Sequence, residues 1–442
     1  MNGKNLWLAM MAVVIMLSPA HRAGAASPGQ PVAAEAAPQK ISLQALISEA
    51  LANNPDIASY GFLVSARRHR IPQAKSLPDP MFTTGYQNEG WDRYSLGNRQ
   101  MSQWMFAASQ KFPYPGKLGL QGKIAAQDAL SAGQSYEDLK LQIARQVKGL
   151  YYDLLLNYKD LDIINQRYGL FTELEKAALA RYSAGLAPQE EVILTQTEKY
   201  TLMEKKQVIT QKILADNAQL NSALGRTDTA TPLGRPRETA CLLNAATAAP
   251  LVNAAVSNSP RIKAQQRLLE KARAEVAFAQ KQYYPDFTVA GEVDKKAGAY
   301  MDDWSLTTSI NIPLYYKTKQ REAVAEANRL LEKARADLDS VKLSVSSGVE
   351  NYFSAAQSAG SLMQLYKEGL VPKTYQDFES ALSGYTSGTV SALTAINRLK
   401  ALLDYEFKYW QQFTERQKAI AGIEALTGRT SYITEGGANG NK

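Results

Sequence analysis

The side chains able to make or break bonds are few and scattered. Cys241 is the only cysteine in 442 residues, and the histidines are His21 and His69. A zinc or iron centre built on thiolate and imidazole takes about three or four such ligands, which this chain cannot supply. There is no Gly-rich phosphate loop of the Walker or dinucleotide type and no GxSxG elbow, so the usual frames for phosphoryl, hydride and acyl transfer are missing. The acidic pair Asp302-Asp303 falls in a predicted loop between strands, where carboxylates are commonly solvated. Met101 and Met301 precede corresponding strands, with Met81 and Met105 nearby. A soft-metal relay could be drawn through these thioethers, but lipid contact or packing is their ordinary use. Neither an enzyme nor a bound cofactor or metal is expected, and the question becomes what the elements carrying these residues build.

The first 25 residues read as a secretory signal peptide: Lys4 supplies the positive start, Leu6 to Leu17 is apolar, and Ala23-Gly24-Ala25 fits the small-x-small cleavage rule. That apolar stretch, at ~1.5 Å per residue, is too short to span a hydrocarbon layer of roughly 30 Å. Residues 26–40 are expected to be flexible. The net charge of +8 does not point to nucleic acid, because an exported protein seldom meets it. The basic residues are also dispersed among acidic ones at helical spacing, as in LEKAR at Leu331 to Arg335.

An internal repeat organises the rest. RYSAGL at Arg181 to Leu186 returns as GYTSGT at Gly384 to Thr389, with Gly185 and Gly388 separated by 203 positions. Other landmarks keep the same order: ALANNPDI at Ala50 with AVSNSPRI at Ala255, LPDPMF at Leu77 with YPDFTV at Tyr284, FPYPGK at Phe112 with IPLYYK at Ile312, and the closing Gly225 with Gly428. Residues 41–228 and 251–429 are therefore read as two structural repeats joined by a linker at 229–250, with a disordered tail at 430–442.

Within each repeat a short helix (Ser42 to Ser76; Leu251 to Gln282) meets Pro78 or Pro285 and stops. Two strands follow. Phe287, Val289, Gly291 and Val293 alternate with polar neighbours, as do Trp304, Leu306, Thr308, Ile310 and Ile312, and more loosely Trp104, Phe106, Ala108 and Phe112. Then comes a long proline-free run. Leu139, Ile143, Val147, Leu150, Leu154, Tyr158 and Leu161 step by three or four, and a helix over 117–181 would span about 100 Å. Gly169-Leu170 and Gly369-Leu370 interrupt the pattern, Pro372 predicts a kink, and a return helix begins with Pro188 just inside its start. The two tyrosine-glycine stretches are the turns of long helical hairpins, where Gly185 and Gly388 can take positive φ.

Four strands of about ten residues, apolar on one side and polar on the other, match a transmembrane barrel with a wet interior. Four cannot close a barrel, and lipid does not tolerate an open edge. The chain must oligomerise. A soluble periplasmic coiled-coil scaffold is the alternative, but it leaves the strand pairs without a role.

In this order of elements the sequence resembles the TolC-type outer-membrane efflux channels, from Ile41 to Arg429. The resemblance is carried by LQALISEALANNPDI, by the tips RYSAGL and GYTSGT, and by the closing LTGR; FPYPGKL is similar to the heavy-metal efflux subset. It implies a mainly α fold with a small β part: long antiparallel helical hairpins form an α-barrel tunnel, and four transmembrane strands per chain contribute to a trimeric 12-stranded β-barrel. It implies a homotrimer in the cell outer membrane, reaching into the periplasm and contacting outer-membrane lipid. A periplasmic adaptor and an inner-membrane efflux pump of the RND type would be its partners. The implied adaptor-docking tips are Tyr182, Ser183, Ala184, Gly185 and Leu186, with Tyr385, Thr386, Ser387, Gly388 and Thr389. Some members carry acidic residues beyond the second tip; here those positions are Thr394 and Asn397, while Glu190 and Glu191 follow the first. These four form a possible entrance gate, although glutamates in a first helical turn also stabilise the helix by themselves.

Overall fold

The computed structural model describes residues 41–243, 245–428 and, for the backbone, 433–436. The expected signal peptide and the segment 26–40 lie outside the described residues. The chain is a set of long helices with a small sheet. It runs through α1 (Leu43–Asn53), α2 (Pro55–Lys75), β1 (Met81–Gln87), β2 (Gln103–Phe112), α3 (Lys117–Ser183), α4 (Gln189–Ala223), β3 (Ala240–Leu243), α5 (Ala249–Asn258) and α6 (Pro260–Lys281). It continues through β4 (Asp286–Lys295), β5 (Asp303–Asn311), α7 (Gln320–Gln364), a π-helical turn (Leu365–Leu370), α8 (Val371–Ser387), α9 (Ala392–Thr427) and β6 (Ile433–Gly436).

Helix α3 is the spine. Its 67 residues at ~1.5 Å each reach about 100 Å, and Val147, Leu154 and Leu174 on its stripe are wholly buried. Its first half lies beside α2 and α6, where Lys271 reaches Asp128 at 2.7 Å and Ser131 donates to the Ala264 carbonyl at 3.1 Å. Its second half lies beside α4 and α9. Gly169 does not interrupt it, contrary to expectation: a helical glycine costs only about 1 kcal/mol, and the neighbouring Phe171 and Leu174 are buried. The second repeat does break, into the π turn just before Pro372. Proline offers no N–H and its ring collides with the carbonyl four residues back, so the helix widens there.

Four other expectations need correction. Each opening helix is split in two, at Asn54 and at Ser259, because the following proline starts a new helix. Asn54 caps it by accepting from the Asp56 and Ile57 amides at 2.9 and 3.4 Å. Pro188 is the residue before α4, not its first residue. The linker 229–250 is a strap: Ile41 donates to Arg235 and accepts from Arg237, the Tyr151 hydroxyl donates to the Arg237 carbonyl at 2.6 Å, and β3 follows. The tail, expected to be disordered, contributes β6, which satisfies the ladder of β3 in register from Ala240 opposite Gly436 to Leu243 opposite Ile433.

The four-stranded sheet has the order β1-β2-β4-β5, antiparallel throughout. Its register places the sequence-predicted apolar residues on one face: Phe112 opposite Phe287, Phe106 opposite Val293, Val293 opposite Trp304, and Phe287 opposite Ile310. Strand β1 adds Phe82 opposite Ala108 and Tyr86 opposite Trp104.

Candidate functional site

Two surfaces can act. One is the sheet, whose apolar face lies open, with Trp304 79% and Leu306 69% exposed. Its other face carries Glu292, Asp294 and Asp303, with Ala107 opposite Glu292 and Met105 opposite Asp294. Met81 and Met105 lie on this polar face, so lipid contact is not their use; strand parity decides it. Met101 and Met301 sit in the two loops and are exposed. Strands β1 and β5 are free edges, and in lipid each unsatisfied backbone group of an edge costs several kcal/mol. Among the described residues no helix is long and apolar enough to cross a membrane. No group of three or more His, Cys, Asp or Glu side chains among them is arranged to hold a metal. His69 is exposed on α2 and Cys241 is buried in β3.

The other surface is the pair of tips. Both turns close with the same capping bonds: Gly185 donates to the Tyr182 carbonyl at 2.9 Å and Leu186 to Arg181 at 2.8 Å, while Gly388 donates to Tyr385 at 3.1 Å and Thr389 to Gly384 at 2.8 Å. Gly185 and Gly388 have φ of 70° and 86°, as the turn requires. Residues 182–186 and 386–389 are all exposed. Tyr385 is not. Although it is the repeat counterpart of Tyr182, its side chain is wholly buried among Leu174, Ala178, Val192 and Ile396, which unite the two hairpins in one small core. Its repeat position therefore supports the tip from inside and cannot touch a docked partner.

What locks it there was not legible from the repeat. Arg181 donates to the Tyr385 carbonyl at 2.7 Å and to the Leu186 carbonyl at 3.2 Å, with its guanidinium over the tyrosine ring. The Tyr385 hydroxyl donates to Glu191 at 2.9 Å. Burial, then the bonded Glu191 carboxylate, push that hydroxyl far above the ordinary tyrosine range. Of the four gate candidates, Glu191 is thus engaged within its own chain. Thr394 donates its amide to the Ser391 cap at 3.3 Å, and Glu190 and Asn397 are exposed.

The same architecture recurs in known proteins. The chain is 20% identical over 445 residues to the cobalt-zinc-cadmium resistance protein CzcC of Cupriavidus metallidurans, covering 96% of this chain and all of that protein. Its fold is similar to a membrane protein from Pseudomonas aeruginosa (TM-score 0.77, 16% identity, 87% of this chain and 90% of the other). It is also similar to the outer membrane protein VceC of Vibrio cholerae (TM-score 0.75, 17% identity, 87% and 96%). The sequence profile of the outer membrane efflux proteins matches residues 46–226 and 251–429, the two halves that the tips, strands and long helices define. A double match over both repeats, on a chain with an exposed apolar sheet and hairpins of this length, places it in the outer membrane efflux protein family.

Proposed function

We propose that three copies form the exit duct of a tripartite efflux system. The observation that carries this reading is the sheet: one mainly apolar face left open, one more polar face, and two unpaired edges in a four-stranded piece. Three such pieces make a 12-stranded wall, within the size range of membrane barrels. The long helices then line a tunnel of about 100 Å. A soluble scaffold would gain nothing from an exposed face carrying Trp304 and Leu306.

The exposed tips, Tyr182 to Leu186 and Thr386 to Thr389, are the docking surface for a periplasmic adaptor bound to an inner-membrane pump of the RND type. The pump supplies energy and most selectivity. In this reading, opening the entrance parts the two tips at their shared buried core and separates Tyr385 from Glu191 and Arg181. Glu190 is then the carboxylate best placed to favour cations at the entrance, three in a trimer. The likeness to CzcC, whose name records cobalt, zinc and cadmium resistance, supports metal cations as the substrate class. The test is membrane fractionation followed by reconstitution. The duct purifies with the outer membrane as a detergent-stable oligomer and conducts ions in planar bilayers. A soluble monomer without conductance would rule the reading out.

A further inference from the structure

The two repeats meet along a seam inside the chain. On that seam β2 pairs with β4, α3 packs on α6, and Tyr114 stacks on Tyr284 with ring centroids 4.5 Å apart. Asp286 is its electrostatic centre. Its carboxylate accepts from the Tyr114 amide at 2.9 Å and from Lys117 at 2.7 Å, with Lys111 at 3.4 Å. Lys117 is only 4% exposed.

The outer sides of the two repeats have no such neighbour. On one free edge stand β1 and α2 with exposed Phe62; on the other stand β5 and α7 with exposed Leu343, Leu314 and Tyr315. The repeat spacing supplies the missing counterparts. Asp79 corresponds to Asp286 in the shared Pro-Asp, and Lys317 corresponds to Lys117, 200 positions on. Asp79 and Lys317 are exposed, and neither side chain has an ion-pair partner among the described residues. One edge thus presents an unmatched carboxylate and the other an unmatched ammonium, at the heights where the inner seam joins its own pair.

We propose that the seam between copies repeats the seam within the chain: β5 of one copy adds to β1 of the next, and Lys317 of one copy reaches Asp79 of the next as Lys117 reaches Asp286. This rests on the multi-copy barrel proposed above and specifies its joint. The register follows from the inner one. Phe112 opposite Phe287 becomes Ile312 opposite Pro80, so Ile310 faces Phe82, Ser309 faces Thr83 and Leu306 faces Tyr86. An independent condition is met without adjustment. Directly opposed residues share a face, and this register sets the apolar Ile310 and Leu306 beside the apolar-face residues Phe82 and Tyr86. A slip by one residue would turn β1 inside out.

Cysteine cross-linking in membranes tests the joint, in a Cys241→Ala background. Opposed strand residues lie about 4.5–5.5 Å apart at Cα, within disulfide reach, whereas partners two residues along are roughly 7–8 Å away. Thr83→Cys with Ser309→Cys should give a ladder of disulfide-linked dimers and trimers on oxidation, and Thr83→Cys with Thr307→Cys or with Asn311→Cys should not. A ladder from either shifted pair alone overturns the register while leaving the multi-copy barrel standing. If no pair links although an amine-reactive cross-linker yields trimers, the joint itself is wrong. If that reagent yields only monomers, the multi-copy reading fails first. Asp79→Lys should reduce detergent-resistant trimer and Asp79→Lys with Lys317→Asp should restore it; an unchanged trimer in the single variant would remove the ion pair from the joint.

Discussion

The Tyr385 hydroxyl donates to the Glu191 carboxylate across 2.9 Å, joining the last turn of α8 to the first turn of α4. The bond links two hairpins that the chain reaches more than 190 residues apart, and it lies close to the tips beside the Arg181 bond to the Tyr385 carbonyl. Tyr385→Phe keeps the buried ring and deletes the tie, at a cost of about 1 kcal/mol. The expected outcome is a folded oligomer with raised open probability in planar bilayers and leakage of large polar antibiotics into cells. Unaltered conductance would mean that the tie does not hold the tips closed.

The two turn glycines should respond unequally. A Cβ at Gly185 meets no atom within 4 Å, so Gly185→Ala bears only the left-handed backbone penalty of about 1–2 kcal/mol. A Cβ at Gly388 would also lie 3.0 Å from the Arg181 guanidinium, disturbing the contacts that hold Tyr385. Gly388→Ala should therefore lower efflux-dependent resistance more than Gly185→Ala, with trimers intact in both. Resistance assays beside native gels check the order.

Much of this fold can be read from the chain because its periodicities have single causes. The strand alternation at Trp304, Leu306 and Ile310 reflects one face turned from water, and the α3 stripe at Val147 and Leu154 reflects one buried face. Tyr182 and Tyr385 look equivalent in sequence and are not. The counterpart of Arg181 is Gly384, so only one tyrosine has a guanidinium to hold it, and burial follows from that tertiary contact. The breaks at Asn54-Pro55 and Ser259-Pro260 carry a local signal, a residue type common at N-caps followed by proline at the first helical position, which a continuous helical reading overlooks. The harmlessness of Gly169 has no local signal, since its neighbours' burial outweighs its propensity.

Asp286 should be among the costliest polar positions to change. Asp286→Ala leaves the Lys117 ammonium buried without its carboxylate, a situation worth about 3–5 kcal/mol, and orphans the Tyr114 amide. Asp286→Asn keeps one acceptor and should fall between. Thermal unfolding in detergent, followed by loss of the detergent-resistant oligomer, is expected to rank wild type above Asn above Ala. Equal midpoints would show that Lys117 finds another partner.

Asp160 sets a pH dependence of its own. Burial pushes its carboxyl from an ordinary value near 3.8 up to about 7, with Lys212 only partly opposing, and its Oδ1 has no hydrogen-bond partner. Nearby, burial likewise raises Asp216, which accepts from Asn157 at 2.6 Å and feels Asp153. A carboxyl raised in the folded state binds a proton there that the unfolded chain has already released. Its contribution is thus full below about pH 4, falls as pH rises to about 7, and is flat beyond, a loss on the order of a few kcal/mol. Asp160→Asn abolishes the titration and keeps the shape. At pH 7.5 the variant should melt above wild type, and by pH 4.5 the gap should close. A gap of equal size at both pH values would assign the difference to packing, and the carboxylate would then be solvated in the assembled wall.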